Sequence, residues 1–188
     1  TTPPRPILSM IRGKPLRIGN LTLSVKPHVF IGPTDILYGL EKEGYVFSPE
    51  LFVENQGNVL IVRKGNPKVI KSIQDLLRND VILFLSNPET EKASFKAYSE
   101  TLANLSGYPD IISRLNILYG SCIHHREAPI SITDRSADAA IVFYHLGRHF
   151  LKKFPHEFEM ISLGGSFESL TPLEGNVTGR TSVASTTD

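Results

Sequence analysis

One stretch constrains this chain more than any other, Asn58 to Leu77 (NVLIVRKGNPKVIKSIQDLL), because its hydrophobic period changes halfway along. Val59 to Val62 is a short unbroken apolar run rich in β-branched residues, as required of a strand covered on both faces. Beyond it, Ile70, Ile73, Leu76 and Leu77 recur at helical spacing, and Ser72 followed by Asp75 reads as a capping box. Between the halves stands Lys64-Gly65-Asn66-Pro67. Glycine frees the backbone there, asparagine tolerates left-handed geometry and proline fixes the entry to the next segment. The piece is strand, turn, helix.

The same alternation continues along the chain. Thr1 to Lys14 is proline-rich and reads as an arm, and Leu16 to Pro33 holds two strands. Asp35 to Gly44 reads as a short helix capped by Thr34 or Asp35, followed by a loop through Pro49. Val81 to Ser86 is a buried strand whose helix spans Asn87 to Gly107, with Asn87 and Thr90 as cap candidates. Leu115 to Tyr119 is a short apolar run, and Ile130 to Ser136 a short helix opening near Pro129. Ala137 to His145 contains a buried strand, Leu146 to Phe154 a helix, and Phe158 to Leu163 a last strand. Gly164 to Asp188 shows no helix. Strands and helices alternating at short joints predict an α/β fold built on mainly parallel sheets. In such sheets ligands collect at the carboxyl ends of the strands, where helix starts present bare N–H groups.

Composition narrows the partners. A formal net charge of +1 with 21% charged residues leaves no basic field for nucleic acid. No apolar run reaches the roughly 18 to 20 residues of a membrane span. The single Cys122 cannot form an internal disulfide or a thiolate metal cluster, and its Ser-Cys-Ile context reads as a buried, inert thiol. Lys-Gly-Asn-Pro-Lys lacks phosphate-loop spacing. Neither a metal nor another cofactor is expected.

Taken in order, VFIGPTDILYGLEKEGYV, ENQGNVLIVRKGNPKVIKSIQDLL, VILFLSNPETEKASFKAYSETL, IHHREAPISI, SADAAIVFY and FEMISL resemble the extracytoplasmic solute-binding proteins of ABC importers, most closely the molybdate/tungstate-binding group. The resemblance covers Val29 to Leu163. It implies a two-lobed, periplasmic-binding-protein-like (Venus flytrap) fold that encloses a small anionic ligand, an importer permease as partner, a periplasmic or extracytoplasmic location and no catalysis. Mapped onto this chain it gives a partial first lobe with an N-terminal arm over residues 1–62, a second α/β lobe over 63–143, and a return crossing with the rest of the first lobe over 144–188. The family's opening Ser-bearing helix and closing helices have no counterpart, so the chain reads as a fragment. A sensory or adhesive module of the same fold is the second reading, and an enzyme using the histidine pair with Glu127 is the third.

The candidate ligand-binding residues are Thr90, Glu91, Ser94, His125, Arg126 and Tyr144. Thr90, Glu91 and Ser94 surround a helix start whose N–H groups and hydroxyls suit an oxyanion without any charged side chain; the resemblance makes this the second lobe's half of the site. Capping alone explains the same residues. In His124-His125-Arg126-Glu127, Arg126 can fork onto a carboxylate, phosphate or sulfate-like group and a histidine can add a donor. The competing reading is an Arg126–Glu127 surface pair beside a core histidine. In molybdate-binding relatives a tyrosine hydroxyl follows the Ala-Asp-Ala-Ala-Ile-Val block. Alignment puts Phe143 at that place, with Tyr144 one residue on; packing is the expected role of Phe143, and strand-start capping that of Asp138.

Overall fold

The computed structural model describes residues 4–121, 123–164 and 171–187. Cys122 lies outside the described residues. Two compact units result, Thr1–Glu54 with Gly179–Asp188, and Asn55–Thr178. Both the Asn58–Arg63 strand and residues 144–178 therefore fall in the second unit.

The first unit is antiparallel. β1 (Leu16–Ile18) and β2 (Leu21–Leu23) form a hairpin, and a second sheet has the order β3 (Val29–Pro33), β10 (Arg180–Thr186), β4 (Val46–Glu54). Two helices cover it, α1 (Pro4–Ile11) and α2 (Thr34–Lys42), burying Ile11, Leu37 and Leu40 against Phe30, Val46 and Ala184. Two sequence expectations are corrected in this unit. The proline-rich arm is helical from Pro4, since proline is tolerated in a first turn and Ile7, Leu8 and Ile11 gain an apolar surface to pack on. The expected loop through Pro49 is strand β4. It accommodates the proline by bulging: Ser48 takes φ 51°, and the pairing with β10 steps from Phe47 to Glu50. The helix-free tail supplies β10, the central strand of this sheet.

The second unit holds a five-stranded sheet of order β7 (Asn116–Tyr119), β6 (Ile82–Leu85), β8 (Ala139–Phe143), β5 (Asn58–Arg63), β9 (Phe158–Ile161). β6 pairs in parallel with β7 and β8, whereas β5 pairs antiparallel with β8 and β9. The sheet is therefore mixed and not mainly parallel. Alternation along its inner strands divides the core. Leu60, Val62, Leu83, Leu85 and Ile141 face α3 (Lys92–Ser106) and α4 (Ile111–Arg114), while Val59, Ile61, Phe84, Ala140 and Val142 face α5 (His124–Thr133) and α6 (Tyr144–Lys153). Covered on both faces, β5 and β8 are apolar throughout Val59 to Val62 and Ala139 to Val142, which is why they stand out in the sequence. α6 approaches β5 closely: a Cβ on Gly147 would lie 2.8 Å from Val59 Cγ2 and 3.0 Å from Met160 Sδ.

The joint after β5 is turn chemistry. Gly65 and Asn66 have φ of 78° and 42°, and the Asn66 side chain both accepts from Ile70 N–H (3.0 Å) and donates to Ile70 C=O (2.7 Å). Beyond it the capping box is present, with Lys71 and Ser72 N–H groups holding the Asp75 carboxyl below its usual range. The expected helix is a single 3-10 turn, Ile73–Leu77, whose Ile73 and Leu76 are buried. α5 begins six residues before the expected helix and carries Pro129 inside it. That shift puts His124, His125, Arg126 and Glu127 on the first turn of a helix.

Candidate anion-binding edge

β6, β7 and β8 run in one direction, so their carboxyl ends lie along one edge of the second unit. Each is followed there by a helix start: β6 by α3 after Ser86–Glu91, β7 by α5 after Gly120–Ile123, and β8 directly by α6.

The approach to α3 is set by Asn87. Its side-chain oxygen accepts from the N–H of Glu89 (2.9 Å) and Thr90 (3.4 Å), and its amide donates to Gly120 C=O (3.2 Å). Asn87 thus caps a turn five residues before the helix, and Thr90 and Glu91 precede α3 as linker and N-cap. No side chain caps α3, which leaves the N–H groups of Lys92, Ala93 and Ser94 without partners among the described residues. At its other end Gly107, with φ 77°, closes the helix in left-handed geometry.

Glu91 binds α3 to α5, its carboxylate accepting the His124 N–H at 2.9 Å. Thr90, Ser94, His125 and Arg126 are therefore brought to one edge, on two helix starts tied to each other. Among the described residues the Thr90 and Ser94 hydroxyls, the His125 ring and the Arg126 guanidinium make no hydrogen bond or ion pair. Glu127 is held differently from the expected surface pair, accepting from Ser121 N–H and Oγ at 2.8 Å each. Tyr144 stands apart from the others. Its ring is buried in the core cluster beneath α5 and α6, its N–H donates to Gly57 C=O, and its hydroxyl accepts from Arg148 at 3.0 Å. Asp138 accepts the Ile82 N–H at 2.9 Å, which fixes the start of β6.

A ladder of rings runs beneath the edge. Phe84 stacks on His124 (5.2 Å between centroids), His124 packs on Tyr98 (5.1 Å), Tyr98 on Phe143 (5.0 Å), and Phe143 on His145 (5.9 Å). His124 is 1% exposed, and neither ring nitrogen has a hydrogen-bond partner of proper geometry. Burial, opposed by the Phe84 backbone and reinforced by His125, pushes its pKa down to about 4. Burial likewise raises the Tyr98 hydroxyl. His145 is exposed overall but has one ring face covered by Phe143; that desolvation, with the nearby His125, lowers its pKa. Sequence reading missed Tyr98 and His145. Tyr98 was legible only as one of the apolar positions of α3, and His145 carried no local signal beyond following a strand end.

Two surface hollows share elements with this edge, one of about 330 Å³ lined by Phe84, Tyr119, Ser121, Glu127 and Ser131 among others, the second of about 420 Å³ lined by His145, Arg148, His149, Leu151 and Lys152. Neither is lined by Thr90, Ser94 or Arg126. Among the described residues no group of histidine, cysteine and carboxylate side chains could hold a metal ion, and no helix is long and apolar enough to cross a membrane.

No curated protein matches the chain in sequence. Among solved structures it is similar to the substrate binding domain of a candidate molybdenum ABC transporter from Clostridium difficile, with a TM-score of 0.61 at 15% identity, covering 96% of this chain and 67% of that one. It is similar also to PEB3 bound to L-phospholactate, with a TM-score of 0.54 at 16% identity, covering 85% and 66%, and to glycosylated PEB3, at 0.55 and 18% over the same shares. This chain spans about two thirds of the length of these structures, and at such identities the likeness is one of fold. A family model matches residues 20–179, most of the sequence, and by that match the chain belongs to the bacterial extracellular solute-binding proteins.

Proposed function

We propose that the chain is the ligand-holding part of a non-catalytic receptor that captures a small anion for an ABC importer, with the ligand seated at the starts of α3 and α5. The observation that carries this reading is the set of unpaired donors gathered there: the N–H groups of Lys92, Ala93 and Ser94, the Thr90 and Ser94 hydroxyls and the Arg126 guanidinium. Donors of that kind hold negative charge without a metal, and two helix starts add their partial positive charge. A molybdate-like oxyanion fits this donor set, and so does a small carboxylate bearing a phosphate; the names of the molybdenum-transporter and L-phospholactate neighbours support the same range. His125 would add a donor at the rim. Tyr144 would act indirectly, its hydroxyl orienting Arg148 one turn further along α6.

Thermal unfolding of the chain with molybdate, tungstate, sulfate, phosphate and phospholactate tests this. At a ligand concentration about a hundredfold above Kd the midpoint is expected to rise by roughly 5 °C or more, and Ser94→Ala and Arg126→Ala are expected to remove most of the rise while leaving the unliganded midpoint in place. A midpoint unmoved by every anion contradicts the reading.

A further inference from the structure

We propose that anion capture at this edge is coupled to proton uptake by a histidine pair, His125 on α5 and His145 on α6, which makes the preferred ligand a dianion and tightens binding as pH falls. This rests on the anion-binding reading above and specifies its charge class. Both histidines are exposed beside helix starts, and neither ring makes a hydrogen bond among the described residues. They are close enough for His125 to oppose the protonation of His145. The ring ladder fixes His145 against Phe143, which packs in turn on Tyr98 and so on α3. The pair therefore stands at the same edge as the unpaired N–H groups.

The other ionisable groups around the pair are already committed. From α3, Glu91 accepts the His124 N–H and Tyr98 is buried. From α5, Glu127 accepts from Ser121, and Arg126 stays cationic. His124 is sealed between Phe84 and Tyr98 and stays neutral near pH 7. From α6, Arg148 is bonded to Tyr144, and His149 turns its ring toward Phe150. His125 and His145 remain as the groups able to answer a new charge. In the empty protein, desolvation, with the neighbouring His125, holds the His145 pKa below its ordinary value. A bound dianion reverses that balance, because its second negative charge offsets both terms, and the imidazole takes a proton from solvent.

Isothermal titration with sulfate and molybdate, neither of which takes up a proton near neutrality, reads this directly. Titrations at about pH 8 and about pH 6, each in two buffers of different ionisation heat, are expected to show affinity about tenfold higher at the lower pH and a binding heat that varies with buffer by about one proton per anion. His145→Gln is expected to bind both anions with most of the pH slope and buffer dependence gone, and His125→Gln to reduce what remains. Binding with equal affinity at both pH values and buffer-independent heat overturns the proton coupling and leaves the anion reading standing. Undiminished proton uptake in both variants overturns the assignment to this pair. Absence of binding at either pH overturns the anion reading and the coupling together.

Discussion

Substituting phenylalanine for His124 is expected to remove most of the protein's loss of stability between about pH 6.5 and pH 4. In the folded chain the His124 ring is neutral down to about pH 4, whereas in the unfolded chain it takes a proton at its ordinary value near 6.5. Across that window the unfolded state binds more protons, so stability falls as the pH is lowered through it and is fully present above it. A shift of this size in a side chain 1% exposed corresponds to a loss on the order of 3 kcal/mol. Carboxyl groups contribute in a lower range: Asp75, Asp80, Asp110 and Asp134 are all held below their usual value, so what they add is lost only as pH falls through and below about 4. His145, also depressed, acts in the same direction as His124. Phenylalanine keeps the stack on Phe84 and Tyr98 and removes two buried nitrogens that have no partner. Urea unfolding at several pH values would show the wild type weakening steadily from neutrality and the variant nearly flat until the carboxyl range. A variant as acid-sensitive as the wild type would show that His124 is not the group responsible.

The second large effect is expected from Asn176→Ala, at about 3 to 5 kcal/mol of destabilisation. Asn176 is buried, and its side chain satisfies β5 at its first residue. It accepts from Asn58 N–H (2.8 Å) and from the Asn58 amide (3.3 Å), and it donates to Asn58 C=O (2.9 Å) and Leu163 C=O (3.2 Å). The Asn58 amide reaches on to Thr101 Oγ1 at 2.7 Å, which also accepts from Val177 N–H at 3.0 Å. Alanine strips partners from several polar groups at a site closed to water, and the penalty for leaving such groups unpaired exceeds what each bond contributes when made. Denaturant midpoints followed by circular dichroism measure the loss. A change below about 1 kcal/mol would mean that water or a local shift replaces the lost partners.

The strands of the second unit could be read from the sequence because two-sided burial leaves a local mark. Val59 to Val62, Val81 with Leu83 to Leu85, and Ala139 to Val142 are buried and apolar at every position. Elements whose reason for existing is distant left no such mark. β10 is rich in serine and threonine, and its partners β3 and β4 lie far away in sequence. α1 is helical because Ile7, Leu8 and Ile11 find a surface to pack on. Pro129 concealed the true start of α5, since a proline six residues into a helix looks locally like a beginning. The candidate site divides in the same way. Asn-Pro-Glu-Thr announces a helix start through its residue types, and His-His-Arg-Glu stands out as a dense polar cluster, so Thr90, Ser94 and Arg126 could be named in advance. Their connection through Glu91 and His124, and the addition of His145 by a chain of stacked rings, depend on tertiary contacts that no spacing encodes.

The central claim is that unpaired donors at the starts of α3 and α5 form an anion seat. An amide NMR titration of the isotope-labelled chain with molybdate and sulfate tests it most directly. Saturable shifts concentrated at Lys92, Ala93, Ser94, His125 and His145, and absent in Arg126→Ala, are the result expected. Shifts scattered over other surfaces, or none up to millimolar anion, would contradict it.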